Sequence, residues 1–168
     1  MLSGILAIII SLIALFVDQI TKLLVMSEFN LGESRDFING IFNLVYIHNQ
    51  GAAWGSFSGK RWFLIGITLT VMAICIVLII KNFRKSKLFV WSLCLVVSGG
   101  IGNLIDRIFR DGNVIDFLQF DFYKSFPIFN FADCCIVVGA GLLILNFLLE
   151  TITEYKEKKA FKDKDGEN

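Results

Sequence analysis

Four long apolar stretches punctuate the chain: Gly4 to Val25, Trp62 to Ile80, Leu88 to Ile105, and Phe131 to Leu149. None alternates with a period of two, which argues against a β-barrel. Each is close to the roughly 20 residues a helix needs to cross a hydrocarbon core. Lipid offers no partner to an open backbone, so such a span satisfies its hydrogen bonds internally as a helix. The pattern predicts four transmembrane helices, at about 4–25, 62–80, 88–105 and 131–149. Two segments remain between them, at about 26–61 and 106–130. Both mix glycine, asparagine and aromatic residues. Phe42 to Ile47 and Val114 to Leu118 read as strands, and Phe126-Pro127-Ile128 breaks the second run. The expected fold is an all-α membrane protein with a small extracytoplasmic β-sheet built from the two outer segments. Residues 1–150 form one integral-membrane domain, and 151–168 a charged, frayed cytoplasmic tail.

Charge sets the orientation. The short link between the second and third spans carries Lys81, Arg84, Lys85 and Lys87 and no acid. The positive-inside rule makes that link cytoplasmic, and four spans then make both termini cytoplasmic. Trp54, Trp62 and Tyr123 suit the interfacial aromatic belt. The first apolar run has no Lys or Arg before it and no small-residue cleavage site after it, so it reads as a retained span.

The 168 residues are 55% hydrophobic and 18% charged, against about 45–50% and 25% for a soluble domain. That excludes a disordered chain, a disulfide-rich secreted scaffold and an ordinary soluble enzyme. A net charge of +1 excludes nucleic-acid binding through a global basic field. Cys75, Cys94, Cys134 and Cys135 all fall in apolar runs without zinc-type spacing, and read as small buried hydrophobes.

Ionisable residues in membrane helices are costly, and each needs a reason. Asp18 and Lys22 lie at i and i+4, the favourable order for a helical ion pair. They form either an internal pair or a substrate contact. Asn103, Asp106 and Arg107 share one face at the outer end of the third span. Asn130 is a good N-cap for the fourth span, and Asp133 falls in its first turn, where the helix dipole favours a carboxylate. The pentapeptides Gly102-Asn103-Leu104-Ile105-Asp106 and Gly112-Asn113-Val114-Ile115-Asp116 look like a repeat but are too short to be an architectural unit. One histidine, His48, cannot furnish a multi-imidazole metal site, and no serine elbow exists.

What remains is a carboxylate pair at the outer surface. Two close aspartates cannot both ionise easily, so one keeps a proton while the other acts as base on water. Asp133 could pair with Asp106 or with Asp116. Asp106 has Arg107 beside it and should stay ionised. Asp116, between Ile115 and Phe117, has no neighbouring base, so burial should raise its pKa. The rival class is an ion- or proton-coupled transporter subunit, since intramembrane acids also mark transport paths. A structural or assembly subunit is a third reading.

Five segments carry a resemblance: Asp18 to Lys22, Asn49 to Gly55, Gly99 to Arg107, Val114 to Phe117, and Phe126 to Asp133. In this order, within four spans, they resemble the bacterial lipoprotein signal peptidase family (signal peptidase II). The resemblance covers all but the charged tail. It implies an aspartic endopeptidase of the bacterial cell membrane, with its active site at the outer face and no metal or cofactor. Its substrate would be a prolipoprotein carrying a diacylglyceryl group on the lipobox cysteine. Membrane lipids and globomycin-type inhibitors are the other implied partners, and nothing requires more than a monomer.

Matched by motif, the resemblance makes Asp116 and Asp133 the catalytic pair. Asp18, Lys22, Asn49, Gly102, Asn103, Asp106, Arg107, Asn130 and Ala132 would support or line the site. The stretch Asn49 to Gly55 would form an outer clamp, with Trp54 as an interfacial anchor. Gly51 and Gly55 would let the backbone approach substrate closely. Cys134-Cys135 replaces the small polar residues common after the second aspartate.

Overall fold

A computed structural model describes residues 2–84 and 86–165. Its elements, in chain order, are α1 (Leu2–Glu28), β1 (Ser34–Ile38), β2 (Phe42–Asn49), a short 3-10 turn (Ala53–Gly55), α2 (Arg61–Asn82), α3 (Lys87–Phe109), β3 (Val114–Phe120) and α4 (Phe131–Asp165). The four helices are long and apolar enough to cross a membrane. The first three run a few residues beyond their apolar stretches, because a helix continues into the polar interface until a cap or turn stops it. The C-terminal segment differs most from expectation. Instead of fraying after Leu149, α4 continues through the charged residues to Asp165. Glu and Lys are good helix formers, and no proline or glycine interrupts them there. Of the expected basic link, Lys85 lies outside the described residues.

α3 is the central helix: half of its apolar window is buried, against 22–28% in the other three. Small residues make this possible, as in membrane bundles generally. A side chain at Gly99 would collide with the Ala132 carbonyl, and a Cβ at Gly139 would meet Ser92 O at 2.7 Å. At the end near the α2–α3 link the packing is neutral: Ala7, Val90 and Cys94 form a core cluster. There the α3 N-cap Ser86 donates to Asn146 Oδ1 at 2.8 Å, and Trp91 Nε1 donates to Ser3 Oγ at 3.0 Å.

The sheet is three-stranded and antiparallel, in the order β1-β2-β3. β2 and β3 cover the two expected strands. β1 was not legible in advance because all five of its residues are exposed and show no alternation. The β2–β3 register slips between Leu44/Leu118 and Ile47/Asp116, a bulge of one extra residue on β2. Bulges bend a strand and re-aim side chains. Beside this one, the N–H groups of Phe117 and Leu118 both donate to Phe129 O, at 3.0 and 2.8 Å. β3 is thereby tied to the segment leading into α4. Ile115 and Phe117 pack with Val25 and Tyr46 in a core cluster, while Val114 and Asp116 face a cavity.

Candidate active site

The cavity, of about 670 Å³, opens where β3, the end of α3 and the start of α4 meet. Seven of the residues singled out from sequence line it: Asn49, Gly51, Trp54, Asn103, Arg107, Asp116 and Asp133. Asp18, Lys22, Gly102, Asp106, Asn130 and Ala132 lie behind its wall. The cavity lining joins its polar groups to apolar side chains, among them Phe120, Phe126, Ile136 and Val137.

The α4 N-terminus is built as a capping box. Asp133 N–H donates to Asn130 Oδ1 at 3.0 Å, and Asn130 N–H donates to Asp133 Oδ2 at 3.1 Å. Because its oxygen accepts, the Asn130 amide must aim its Nδ2 elsewhere. It donates to Asp116 Oδ1 at 2.6 Å. Asp116 Oδ2 accepts from Asn49 Nδ2 at 2.8 Å, across the β2–β3 pair. Asn103 Nδ2 donates to Asp133 Oδ1 at 2.7 Å, and Asn103 Oδ1 accepts from Asn130 Nδ2 at 3.0 Å. The two carboxyls thus share a connected set of amide donors and face one cavity. Asp116 is 1% exposed. Burial pushes its carboxyl up to about 7, and the neighbouring Asp133 charge adds to the rise. The amides of Asn49 and Asn130 and the charge of Lys22 pull the other way.

Asp106 has a different environment. Its partners are Lys22, at 2.8 Å, and Arg110; it is not held by Arg107, as its sequence neighbourhood suggested. Adjacent residues on a helix point about 100° apart, and Arg107 turns into the cavity, where Nη2 donates to Gly51 O at 2.9 Å. Asp106 is fully buried and does not line the cavity. Asp18 forms the expected pair with Lys22, at 3.0 Å. It also accepts the Ala132 N–H at 2.9 Å, which pins α1 to the start of α4. With Asp18 1% and Lys22 0% exposed, the internal pair is the arrangement found, and neither touches the cavity.

The glycines also have packing roles of their own. A Cβ at Gly51 would meet Ser56 O at 2.5 Å, so this glycine lets its own loop fold tightly, with its N–H on Asn49 Oδ1 at 2.9 Å. Gly55 is needed for its φ of +70°. At Gly102 a Cβ would sit 2.5 Å from Asp18 Oδ2, so the glycine admits the Asp18 side chain between α1 and α3. Cys134 is also not a plain core residue: it is half-buried and lines the cavity, since α4 turns this face toward it. His48 hydrogen-bonds Tyr46 OH at 2.8 Å and stands outside the cavity.

Two residues of the site were not singled out from sequence. Gln19 Nε2 bridges Asp18 Oδ2, at 3.0 Å, and Gly102 O, at 3.2 Å. Arg110 could have been found from its i+4 spacing to Asp106. Among the described residues no group of three or more His, Cys, Asp or Glu could hold a metal ion.

Comparison with known proteins decides the family. The family model for signal peptidase (SPase) II matches residues 10–149. The chain belongs to the signal peptidase II family. It is 41% identical over 159 residues to a lipoprotein signal peptidase of Enterococcus faecalis, covering 95% of this chain and 94% of that protein. It is 41% identical over 143 residues to the lipoprotein signal peptidase of Bacillus pumilus, covering 84% and 92%. A solved structure described as a bacterial membrane enzyme superposes with a TM-score of 0.81 at 32% identity, covering 86% of this chain and 88% of that one. A second, of like description, gives 0.77 at 32% identity. The protein is therefore a lipoprotein signal peptidase by family, a bacterial membrane hydrolase with four spanning helices. Membership in a peptidase family sets aside the transporter and assembly-subunit readings.

Proposed function

We propose that the protein is an aspartic endopeptidase that removes the signal peptide from diacylglyceryl-modified prolipoproteins, cutting just before the lipidated cysteine. The observation that carries this reading is the pair Asp116 and Asp133, held by Asn49, Asn103 and Asn130 and facing one cavity. Asp116, whose carboxyl burial raises to about 7, holds the shared proton in the active form. Asp133, supported by the helix N-terminus and Asn103, is the carboxylate that takes a proton from water. The water oxygen bonds to the scissile carbonyl carbon. Asp116 gives its proton to the developing oxyanion, which completes a gem-diol. As the C–N bond breaks, Asp133 passes the proton it took from water to the leaving cysteine amine, and Asp116 takes back a diol proton as the carboxyl product forms.

The cavity's shape suits such a substrate. Its apolar lining at Ile136 and Val137 would take the signal helix and acyl chains, while Arg107 and Gly51 supply polar groups. Trp54 and Phe126, with ring centroids 6.2 Å apart, cross its outer rim and make the segment Asn49–Gly55 a clamp. Orientation follows the same logic. The pair sits at the opposite bundle end from the α2–α3 link that carries Lys81, Arg84 and Lys87, which supports an outer-face site with cytoplasmic termini. A monomer contains every residue of this reading.

The test is cleavage of purified prolipoprotein with and without the diacylglyceryl group, read by intact mass. The expected result is a single cut before the modified cysteine, unaffected by chelator and blocked by globomycin. Equal cleavage of the unmodified protein, or a cut elsewhere, would overturn the substrate assignment. Inhibition by chelator would overturn the metal-free aspartic chemistry.

A further inference from the structure

The outer end of the bundle buries more charge than bond cleavage uses. Asp18, Lys22 and Asp106 are each at most 1% exposed, and none lines the cavity. Lys22 Nζ reaches Asp106 Oδ2 at 2.8 Å, Asp18 Oδ2 at 3.0 Å and Asn103 Oδ1 at 3.1 Å. All three ammonium hydrogens are used. Two carboxylates against one ammonium leave a negative charge unbalanced, which is costly in a low-dielectric interior.

The balancing cation is Arg110. It caps the C-terminus of α3, with its N–H on Asp106 O at 2.8 Å, and its guanidinium pairs with Asp106 Oδ1 one helical turn back. Its side chain keeps 18% exposure where that of Asp106 has none, so it closes the cluster from the solvent side. Asp111 and Gly112, at φ +53° and +85°, then turn the chain into β3.

The cluster reaches both carboxyls of the proposed pair. Asp106 Oδ2 accepts the N–H of Ile115, the residue before Asp116, at 3.2 Å. Lys22 can only donate, so it fixes Asn103 with its oxygen inward and its Nδ2 on Asp133. We propose that Arg110 is a positioning residue for peptide cleavage. By balancing the Asp18–Lys22–Asp106 cluster, it keeps Asp106 on the β3 backbone and leaves Lys22 shared with Asn103. This role rests on the aspartate-pair reading. Without Arg110, the uncompensated Asp106 carboxylate draws Lys22 away from Asn103. Arg110 does not line the cavity, so its loss acts on turnover rather than on substrate affinity.

The experiment measures kcat and KM on a diacylglyceryl-modified prolipoprotein for the full chain and for Arg110→Gln, Arg110→Lys and the double variant Asp106→Asn/Arg110→Gln. In Arg110→Gln, kcat should fall about 10- to 100-fold, as misplaced catalytic groups do, with KM within about twofold of wild type. Arg110→Lys should restore most of the loss. The double variant pairs one carboxylate with one ammonium and should turn over several-fold faster than Arg110→Gln. If Arg110→Gln does not fold, the other two variants decide, since charge balance requires both to fold and cleave. Wild-type kcat in Arg110→Gln, a Lys variant as slow as the Gln variant, a double variant no better than the single one, or a loss confined to KM would each overturn the role. Asp116→Asn, run alongside, tests the aspartate pair separately: turnover there would sink the pair and this role with it, whereas a dead Asp116→Asn beside a wild-type Arg110→Gln would overturn the role alone.

Discussion

The ends of the two similar pentapeptides make an instructive contrast. Asp106 and Asp116 follow Gly102-Asn103-Leu104-Ile105 and Gly112-Asn113-Val114-Ile115, and both are almost fully buried. Asp106 closes a helix and is surrounded by cations: Lys22 and Arg110 pair with it, and Gln19 and the Ile115 N–H complete its shell. Asp116 sits in a strand, meets only the neutral amides of Asn49 and Asn130, and has another acid nearby. Burial alone does not set a carboxyl's role. The charge of its partners does, and that is fixed by which elements the fold brings against it. A saturated carboxylate suits a brace, and one held only by amides can carry a proton at neutral pH.

The contrast can be broken most severely at the proposed pair. Asp116→Asn and Asp133→Asn should each lower kcat by about 10⁴-fold or more, since residues that act as a unit fail together, while the proteins stay folded. Asp106→Asn should behave in the opposite way. Removing one partner from a buried ion cluster costs about 3–5 kcal/mol, so chemical unfolding in detergent should show a large loss of stability while measurable cleavage survives.

Proton linkage sharpens the same difference. The folded-state pKa of Asp116, about 7, lies above its unfolded value of about 4. Between those values the folded protein holds a proton that the unfolded chain releases. This group's contribution to stability therefore falls as pH rises from about 4 to about 7 and is constant outside that window. Asp116→Asn should flatten this slope. Wild-type cleavage should also decline as pH rises through about 7, as the shared proton is lost.

Smaller effects test the walls. Gly102→Ala puts a Cβ 2.5 Å from Asp18 Oδ2 and 3.1 Å from Ala132 Cβ, and should cost about 1–3 kcal/mol by overpacking, measured as a lower unfolding midpoint. Trp54→Ala removes an exposed ring that meets Phe126 at the cavity rim. It should raise KM about two- to fivefold with kcat unchanged, in line with the modest worth of one aromatic contact.

Much of this was legible in the chain itself. The apolar runs marked all four helices because lipid leaves a backbone no other choice. The Asn130–Asp133 spacing marked the α4 cap because a capping box is local. β1 was not legible, being exposed on every residue. Nor were the partners of Asp106, because sequence adjacency pointed to Arg107 while helical geometry delivers Arg110. The tight packing of Gly51 on its own loop also depended on a turn that only the fold reveals. Local rules were readable; the pairing of side chains across elements was not.

The most direct test compares turnover of a diacylglyceryl-modified prolipoprotein by folded Asp116→Asn and folded Asp106→Asn enzyme, side by side with wild type. The expected result is no detectable cleavage by Asp116→Asn and at least about 1% of wild-type kcat in Asp106→Asn, the lower end of a positioning loss. Cleavage by Asp116→Asn together with a dead but folded Asp106→Asn would make Asp106 the partner of Asp133 and contradict the account.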